Sequence, residues 1–126
     1  EVLKKYPEVK GILGTSSFDA PGTARAIDEL GLKGSVFTAG TGMPAANAQI
    51  LKDGSVSALT LWDPAGAGYA MASLATKILK GEKIEDGVDL GVEGYENMHF
   101  APGSNKVLEG NGWLKITKDN VDSLGF

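Results

Sequence analysis

The sequence contains no cysteine and only one histidine among its 126 residues. The absence of cysteine excludes disulfides, thiolate metal sites and a cysteine nucleophile, and it leaves the redox compartment open. No apolar run approaches the roughly 18 residues that a membrane-spanning helix requires. These absences remove several classes of site before any motif is considered.

Positive charge is also in short supply, with 12 Lys and Arg against 16 Asp and Glu and a net charge of −4. The basic residues form no stripe that could follow a phosphate backbone, so we expect no nucleic-acid partner. Glycine, by contrast, is abundant at 18 residues. That is about twice its average usage, and it predicts many tight turns or close approaches of the backbone.

Three cycles of strand, small-residue loop and glycine-terminated helix follow one another along the first two thirds of the chain. Such alternation predicts an α/β fold in which helices flank a parallel sheet in three layers. The cycles are a strand over 9–13 and a helix from Asp19, its predicted N-cap, to Gly31; a strand over 35–38 and a helix ending before Gly54; and a strand over 56–62 and a long helix ending at Gly81.

The pattern changes after Gly81. Residues 82–111 lack helical periodicity, whereas 112–116 are typical of a strand and Thr117 is placed to cap a short final helix. We therefore predict an α/β lobe over residues 1–81 and an irregular C-terminal tail over residues 82–126. The opening residues 1–7 resemble the last turn of a helix, which indicates that the chain is a fragment.

Ligands of open parallel sheets bind outside the carboxyl ends of the strands. The loops at those ends are therefore the predicted binding site. Its candidate residues are Thr15, Ser16 and Ser17 after the first strand, Thr41, Gly42 and Met43 after the second, and Trp62 and Asp63 at the end of the third.

One motif in these loops indicates a different function. Residues 40–45 match the G-x-G-x-x-A fingerprint of dinucleotide-binding sites, and Asp63 follows about twenty residues later, where a ribose-binding acid is expected. Against this reading, a complete strand–helix unit precedes the motif, and Pro44 removes a backbone N–H from the helix start that would hold a pyrophosphate.

The sequence offers little acid–base machinery. Ser16 and Ser17 lack the glycine framework of a nucleophile elbow, and His99 lies in the tail without a second metal ligand nearby. Trp62 and Asp63 together suit a sugar, because an indole packs on its C–H face while a carboxylate accepts from its hydroxyls. The competing interpretation places Trp62 in the core and makes Asp63 a helix cap.

Three runs resemble type I periplasmic binding proteins, in particular the branch of rhamnose-binding and autoinducer-binding proteins, with ribose-binding proteins more distant. They are residues 59–64, the strand 11–13 leading into Ser16 and Ser17, and the closing run 116–122. The resemblance implies a non-enzymatic protein without cofactors, in which two lobes close on a sugar and dock on an ABC permease. This chain would be the second lobe with its tail, and the N-terminal lobe would lie elsewhere.

The resemblance also implies details of the site and the location. Gly42 stands where ribose-binding proteins have Asp, and Trp62 where they have Gln, which favours a deoxysugar or another less polar ligand. Residues 88–92 would cross a hinge, and Tyr95 and Asn97 would return near the cleft. The whole protein would be periplasmic or extracellular, and lipid-anchored in a Gram-positive organism.

Two functions of other classes stay open at this point. The effector domain of a transcriptional repressor shares the two-lobe fold and also binds small sugars, and the motif at 40–45 leaves a nucleotide-dependent oxidoreductase as a second alternative. Uncovered apolar surface on a lone lobe further favours self-association.

Overall fold

The computed structural model describes residues 1–126 and confirms the α/β class, with a mixed, mostly parallel sheet flanked by helices. None of its helices combines the length and the apolar character needed to cross a membrane. The helices are α1 (Val2–Lys5), α2 (Asp19–Glu29), α3 (Pro44–Lys52) and α4 (Pro64–Leu79), and the strands are β1 (Gly11–Leu13), β2 (Phe37–Thr41), β3 (Ala58–Trp62), β4 (His99–Phe100), β5 (Leu108–Glu109) and β6 (Trp113–Ile116).

The chain divides into two compact units, one made of Glu1–Leu61 with Lys115–Phe126 and the other of Trp62–Leu114. The main sheet has the strand order β1-β2-β3-β6, and both the β1–β2 and β2–β3 pairs are parallel. A separate antiparallel pair joins β4 to β5. The predicted division into a lobe over 1–81 and a tail over 82–126 stays a prediction.

The core of the first unit follows the strand and helix periodicities. Leu59 and Leu61 alternate along β3 with exposed neighbours, and Leu59 is completely buried. From α2, Ala24 and Ile27 are buried, whereas Leu30, which follows the helix, is exposed. These residues pack one face of the sheet against α2.

The closing run packs against α3 within the same unit. Val121 is buried in a 3₁₀ turn (Val121–Ser123), and Lys52 of α3 donates to the carboxylate of Asp122 at 2.6 Å. The N–H of Ala45 donates to the carbonyl of Phe126 at 3.3 Å. These contacts fix the C-terminus to the helix that follows β2.

Three local predictions are wrong. Strand β2 begins later than predicted, because Lys33 and Val36 form an isolated bridge around Gly34 before it. It also ends later, so Thr41 is the last strand residue and not part of a loop. Asp19 is not the N-cap of α2. The N-cap residue of α2 is Phe18. The N-cap residue of the final turn is Asn120, whereas the Thr117 hydroxyl accepts from the N–H of Asp119 at 3.3 Å, one turn earlier than predicted. The Asn120 side chain in turn accepts from the N–H of Thr117 at 2.8 Å.

Candidate functional site

The loop after β1 is organised by the carboxylate of Asp19. One oxygen of Asp19 accepts from the N–H groups of Thr15 at 3.0 Å and Ser16 at 2.9 Å. Gly14 makes this possible, because a Cβ at that position would collide with Cβ of Asp19. The backbone N–H groups of Thr15 and Ser16 are therefore already hydrogen-bonded within the loop.

Of the three predicted residues in this loop, only Ser16 uses its hydroxyl in hydrogen bonds within the loop. The Ser16 hydroxyl accepts from the N–H of Phe18 at 3.2 Å and lies 3.4 Å from the Asp19 carboxylate. Ser17 is exposed, so its hydroxyl can both donate to and accept from a ligand. Thr15 is exposed as well, and the assignment of this loop to the binding site stays a prediction.

The glycines of the dinucleotide-like motif are explained by packing inside the protein. A Cβ on Gly40 would lie 3.0 Å from the carbonyl oxygen of Gly14. A Cβ on Gly42 would lie 2.9 Å from Nδ2 of Asn47 and 3.3 Å from Cδ1 of Leu59. These close neighbours explain both glycines by packing alone, so the motif does not require a nucleotide.

The three residues predicted to form a wall after β2 differ in accessibility. Gly42 is buried under Asn47, whose side chain donates to the carbonyl of Met43 at 2.9 Å. Thr41 is half-buried at the end of the strand, and Met43 is exposed. A ligand at this loop would accordingly meet Met43 and the edge of Thr41, with Gly42 setting their spacing.

The structure supports part of each of the two competing interpretations of Trp62 and Asp63. Trp62 is not a core residue, because 43% of it is exposed. Asp63, however, caps α4: its Oδ1 accepts from the N–H of Ala65 at 2.9 Å. The indole of Trp62 is therefore accessible, and the adjacent carboxylate of Asp63 has one oxygen bonded to the helix.

Two substitutions at Asp63 test its role as the cap of α4. Asp63→Ala should lower the free energy of unfolding by about 1 kcal/mol, because the first turn of α4 loses its side-chain acceptor, whereas Asp63→Asn should change it by only a few tenths. Urea unfolding of the two variants measures the difference. Equal losses for both variants would show that the carboxylate charge, and not the cap, is what stabilises the helix.

A second tryptophan, which the sequence analysis did not single out, lies against Trp62. The ring centroids of Trp62 and Trp113 are 5.4 Å apart, and the planes meet at 85°. Tyr95, Gly110 and Gly112 complete the lining of a pocket of about 150 Å³ beside the pair. Tyr95 lines this pocket, whereas the amide of Asn97 bonds to His99. That this segment returns near the cleft stays a prediction.

Close packing of glycines holds the segment that carries Trp113. A Cβ on Gly112 would lie 2.6 Å from the Tyr95 ring, and a Cβ on Gly94 would lie 2.7 Å from Cα of Gly112. A Cβ on Gly110 would collide with the sulfur of Met98. Gly110 and Gly112 therefore fit against residues 94–98 only because they carry no side chains.

Gly94 and Gly103 provide a matched test of this packing. Both have positive φ, +82° and +75°, but nothing lies within 4 Å of a Cβ built on Gly103. Gly103→Ala should cost about 1–2 kcal/mol from the backbone conformation alone. Gly94→Ala should cost at least about 1 kcal/mol more, because the backbone of Gly112 must move. Urea unfolding compares them, and equal costs would contradict the close approach.

The only histidine belongs to a hydrogen-bonded cluster in the tail. Nδ1 of His99 lies 2.9 Å from Asp86, and Nε2 lies 2.9 Å from the amide of Asn97. The hydrogen bond from His99, with a second one from the N–H of Phe100, holds the pKa of Asp86 below its usual value. No group of three or more metal-ligating side chains is present around this or any other residue.

The chain is similar to a known protein family and to several solved structures. A family model described as the periplasmic binding protein domain matches residues 1–83. A sugar ABC transporter from Actinomyces odontolyticus is 29% identical with a TM-score of 0.81, over 99% of this chain and 40% of that chain. An ABC transporter solute binding protein from Agrobacterium vitis with bound D-fucose is 25% identical with a TM-score of 0.65, over 96% and 34%.

A more distant structure has the same fold. LsrB from Clostridium saccharobutylicum in complex with AI-2 is 22% identical with a TM-score of 0.69, over 99% of this chain and 42% of that chain. The chain therefore spans less than half of the length of each of these three proteins.

Proposed function

The chain belongs to the periplasmic binding protein family, and from that premise we propose that it is part of the substrate-binding component of an ABC-type sugar importer. Proteins of this family bind solutes and catalyse no reaction. They are typically periplasmic or extracellular. The proposal adds a sugar or sugar-like ligand, a membrane permease as partner, and a second lobe that shares the binding of the ligand.

The observation that carries the proposal is the exposed indole of Trp62 at the end of β3. A tryptophan that is 43% exposed presents an apolar face on which the C–H face of a sugar ring packs. The relatives support the same ligand class, since the Actinomyces protein is a sugar ABC transporter and the Agrobacterium protein contains D-fucose.

The hydroxyl groups of the ligand need polar partners as well. In the second unit, Asp63 has one carboxylate oxygen that does not cap α4 and can accept from a hydroxyl. In the first unit, the proposal assigns Ser17 to hydroxyl contacts, and Thr41 and Met43, spaced by Gly42, to the van der Waals surface. Thr15 and Ser16 position Ser17 through their bonds to Asp19.

The chemistry of this set is passive capture. The residues are an indole, a hydroxyl and a partly occupied carboxylate, and none of them is arranged as a nucleophile with a base. Sugar pockets that enclose their ligand bury most of its surface, so a single lobe leaves much of a sugar solvated. We therefore expect high affinity only when the second lobe is present.

Calorimetry of the full-length gene product and of the 126-residue chain, titrated with the same panel of monosaccharides, tests the proposal. The full-length protein should bind at least one sugar, and the chain alone should bind it far more weakly. Micromolar binding by the chain alone would overturn the shared-site proposal, and absence of sugar binding by the full-length protein would overturn the ligand class.

A further inference from the structure

Asn111 is the only asparagine of the chain that is followed by glycine. The carboxamide of an asparagine can be attacked by the backbone nitrogen of the next residue, and a side chain on that residue hinders the approach. Gly112 carries no Cβ and therefore offers the least hindrance. Because asparagine is among the thermolabile residues of proteins, this dipeptide is where loss of the amide nitrogen is sterically easiest.

The surroundings of Asn111 leave its side chain free to turn. The amides of Asn47, Asn97 and Asn120 are each held by hydrogen bonds to neighbouring groups. Asn111 is exposed, and the hydrogen bond that it makes runs instead from its backbone N–H to the carbonyl of Gly94, at 2.9 Å. Its carboxamide carbon can therefore rotate toward the following backbone nitrogen.

The loop that contains Asn111 has little regular structure to hold it closed. Residues 110–112 lie between strands β5 and β6 and belong to neither. Exposed loops with few backbone hydrogen bonds open locally at low cost in free energy. Small rearrangements of the main chain are therefore enough to bring the two reacting atoms together.

We propose that Asn111 is a spontaneous modification site, at which deamidation inserts an isoaspartate shortly before Trp113. The backbone nitrogen of Gly112 loses its proton to solvent and bonds to Cγ of Asn111. The Cγ–Nδ2 bond breaks, and ammonia leaves from a cyclic imide. Water then opens the imide at one of its two carbonyls. Attack at the side-chain carbonyl gives aspartate, and attack at the main-chain carbonyl gives isoaspartate.

The isoaspartate acts on Trp113 through the close packing of Gly112. It lengthens the main chain by one carbon atom, and there is no room for the added length. A Cβ on Gly112 would already lie 2.6 Å from the ring of Tyr95. The extra carbon therefore displaces Gly112 and the residue after it, Trp113, whose ring packs edge to face on Trp62 with the centroids 5.4 Å apart.

The new carboxylate also changes the charge of a groove. Asn111 lines a groove of about 710 Å³ whose other lining residues include three carboxylates, those of Glu93, Glu96 and Glu109. Either product of deamidation adds a fourth negative charge there. Like charges repel at short range, and salt screens the repulsion. The modified protein should therefore lose more stability at low salt than at high salt.

Peptide mass spectrometry of the full-length gene product tests the site. Incubation in mildly alkaline buffer is followed by digestion with trypsin, and a sample digested without incubation gives the background. Cleavage after lysine isolates Asn111 in the peptide 107–115, whereas Asn97 and Asn105 share the peptide 84–106. Peptide 107–115 should deamidate about tenfold faster or more, which requires only a modest difference in activation free energy. Fragmentation should identify isoaspartate in it.

Circular dichroism tests the effect on the two indoles. The perpendicular pair should give an exciton couplet that the isoaspartyl protein loses. Asn111→Asp is the matched control, because it adds the charge without lengthening the main chain and should keep the couplet. Asn111→Gln removes the reactive dipeptide, so the couplet of this variant should survive the same incubation.

Three outcomes would overturn the inference. They are equal deamidation rates for the two peptides, aspartate as the sole product, and an unchanged couplet in protein that is fully converted to isoaspartate. None of these measurements uses a sugar, so a failure of the proposed function would leave the inference standing, and the reverse also holds.

Discussion

Replacing Trp62 with alanine is expected to weaken sugar binding by the full-length protein roughly thirtyfold, equivalent to about 2 kcal/mol. The indole is exposed in the free chain, so its face becomes buried only when a ligand packs on it. Loss of this platform removes apolar contact with the sugar ring, and it also removes the partner on which Trp113 packs edge to face. Calorimetry of wild type and variant measures the change.

Two controls make the Trp62 result interpretable. Trp62→Phe keeps an aromatic platform and should retain most of the affinity. Urea unfolding of Trp62→Ala should remain a single cooperative transition, with a midpoint lowered because Trp113 loses its edge-to-face partner. Unchanged sugar affinity in a folded Trp62→Ala variant would remove Trp62 from the binding site.

The largest expected effect on stability is that of Leu59→Ala. Leu59 lies on the central strand β3 with none of its surface exposed, and its Cδ1 lies beneath Gly42. Removal of a fully buried leucine side chain typically costs about 2–5 kcal/mol, because the lost transfer free energy adds to that of the cavity left behind. The total free energy of unfolding of a small domain is only about 5–15 kcal/mol.

Leu79→Ala is the control for this loss, since Leu79 is 88% exposed at the end of α4. It removes the same atoms from a residue that contributes little to the core and should change the free energy of unfolding by less than about 0.5 kcal/mol. Urea unfolding monitored by circular dichroism measures both variants. Similar costs for the two would contradict the placement of Leu59 in the core.

The fold could be predicted largely from local patterns. Strand and helix periodicities repeat three times with a glycine at the end of each helix, and positive φ at Gly31, Gly54 and Gly81 gives the physical reason for those glycines. The prediction of Asp19 as an N-cap failed although its residue type was suitable. An aspartate at the start of a helix can also turn back to preceding N–H groups, and the choice depends on the room that Gly14 leaves.

The candidate site could be predicted only in part. The end of β3 was identifiable because Trp62 and Asp63 are adjacent in sequence. The partner Trp113 was not, because its contact with Trp62 joins residues that are far apart along the chain. The burial of Gly42 was likewise hidden, because the side chain that covers it, Asn47, follows five residues later on a helix whose orientation no local pattern fixes.

Titration calorimetry of the full-length gene product with monosaccharides tests the central claim most directly. We expect saturable binding of a sugar, with a negative heat-capacity change from burial of apolar surface on Trp62. Absence of binding to any sugar of the panel, with an intact fold by circular dichroism, would contradict it.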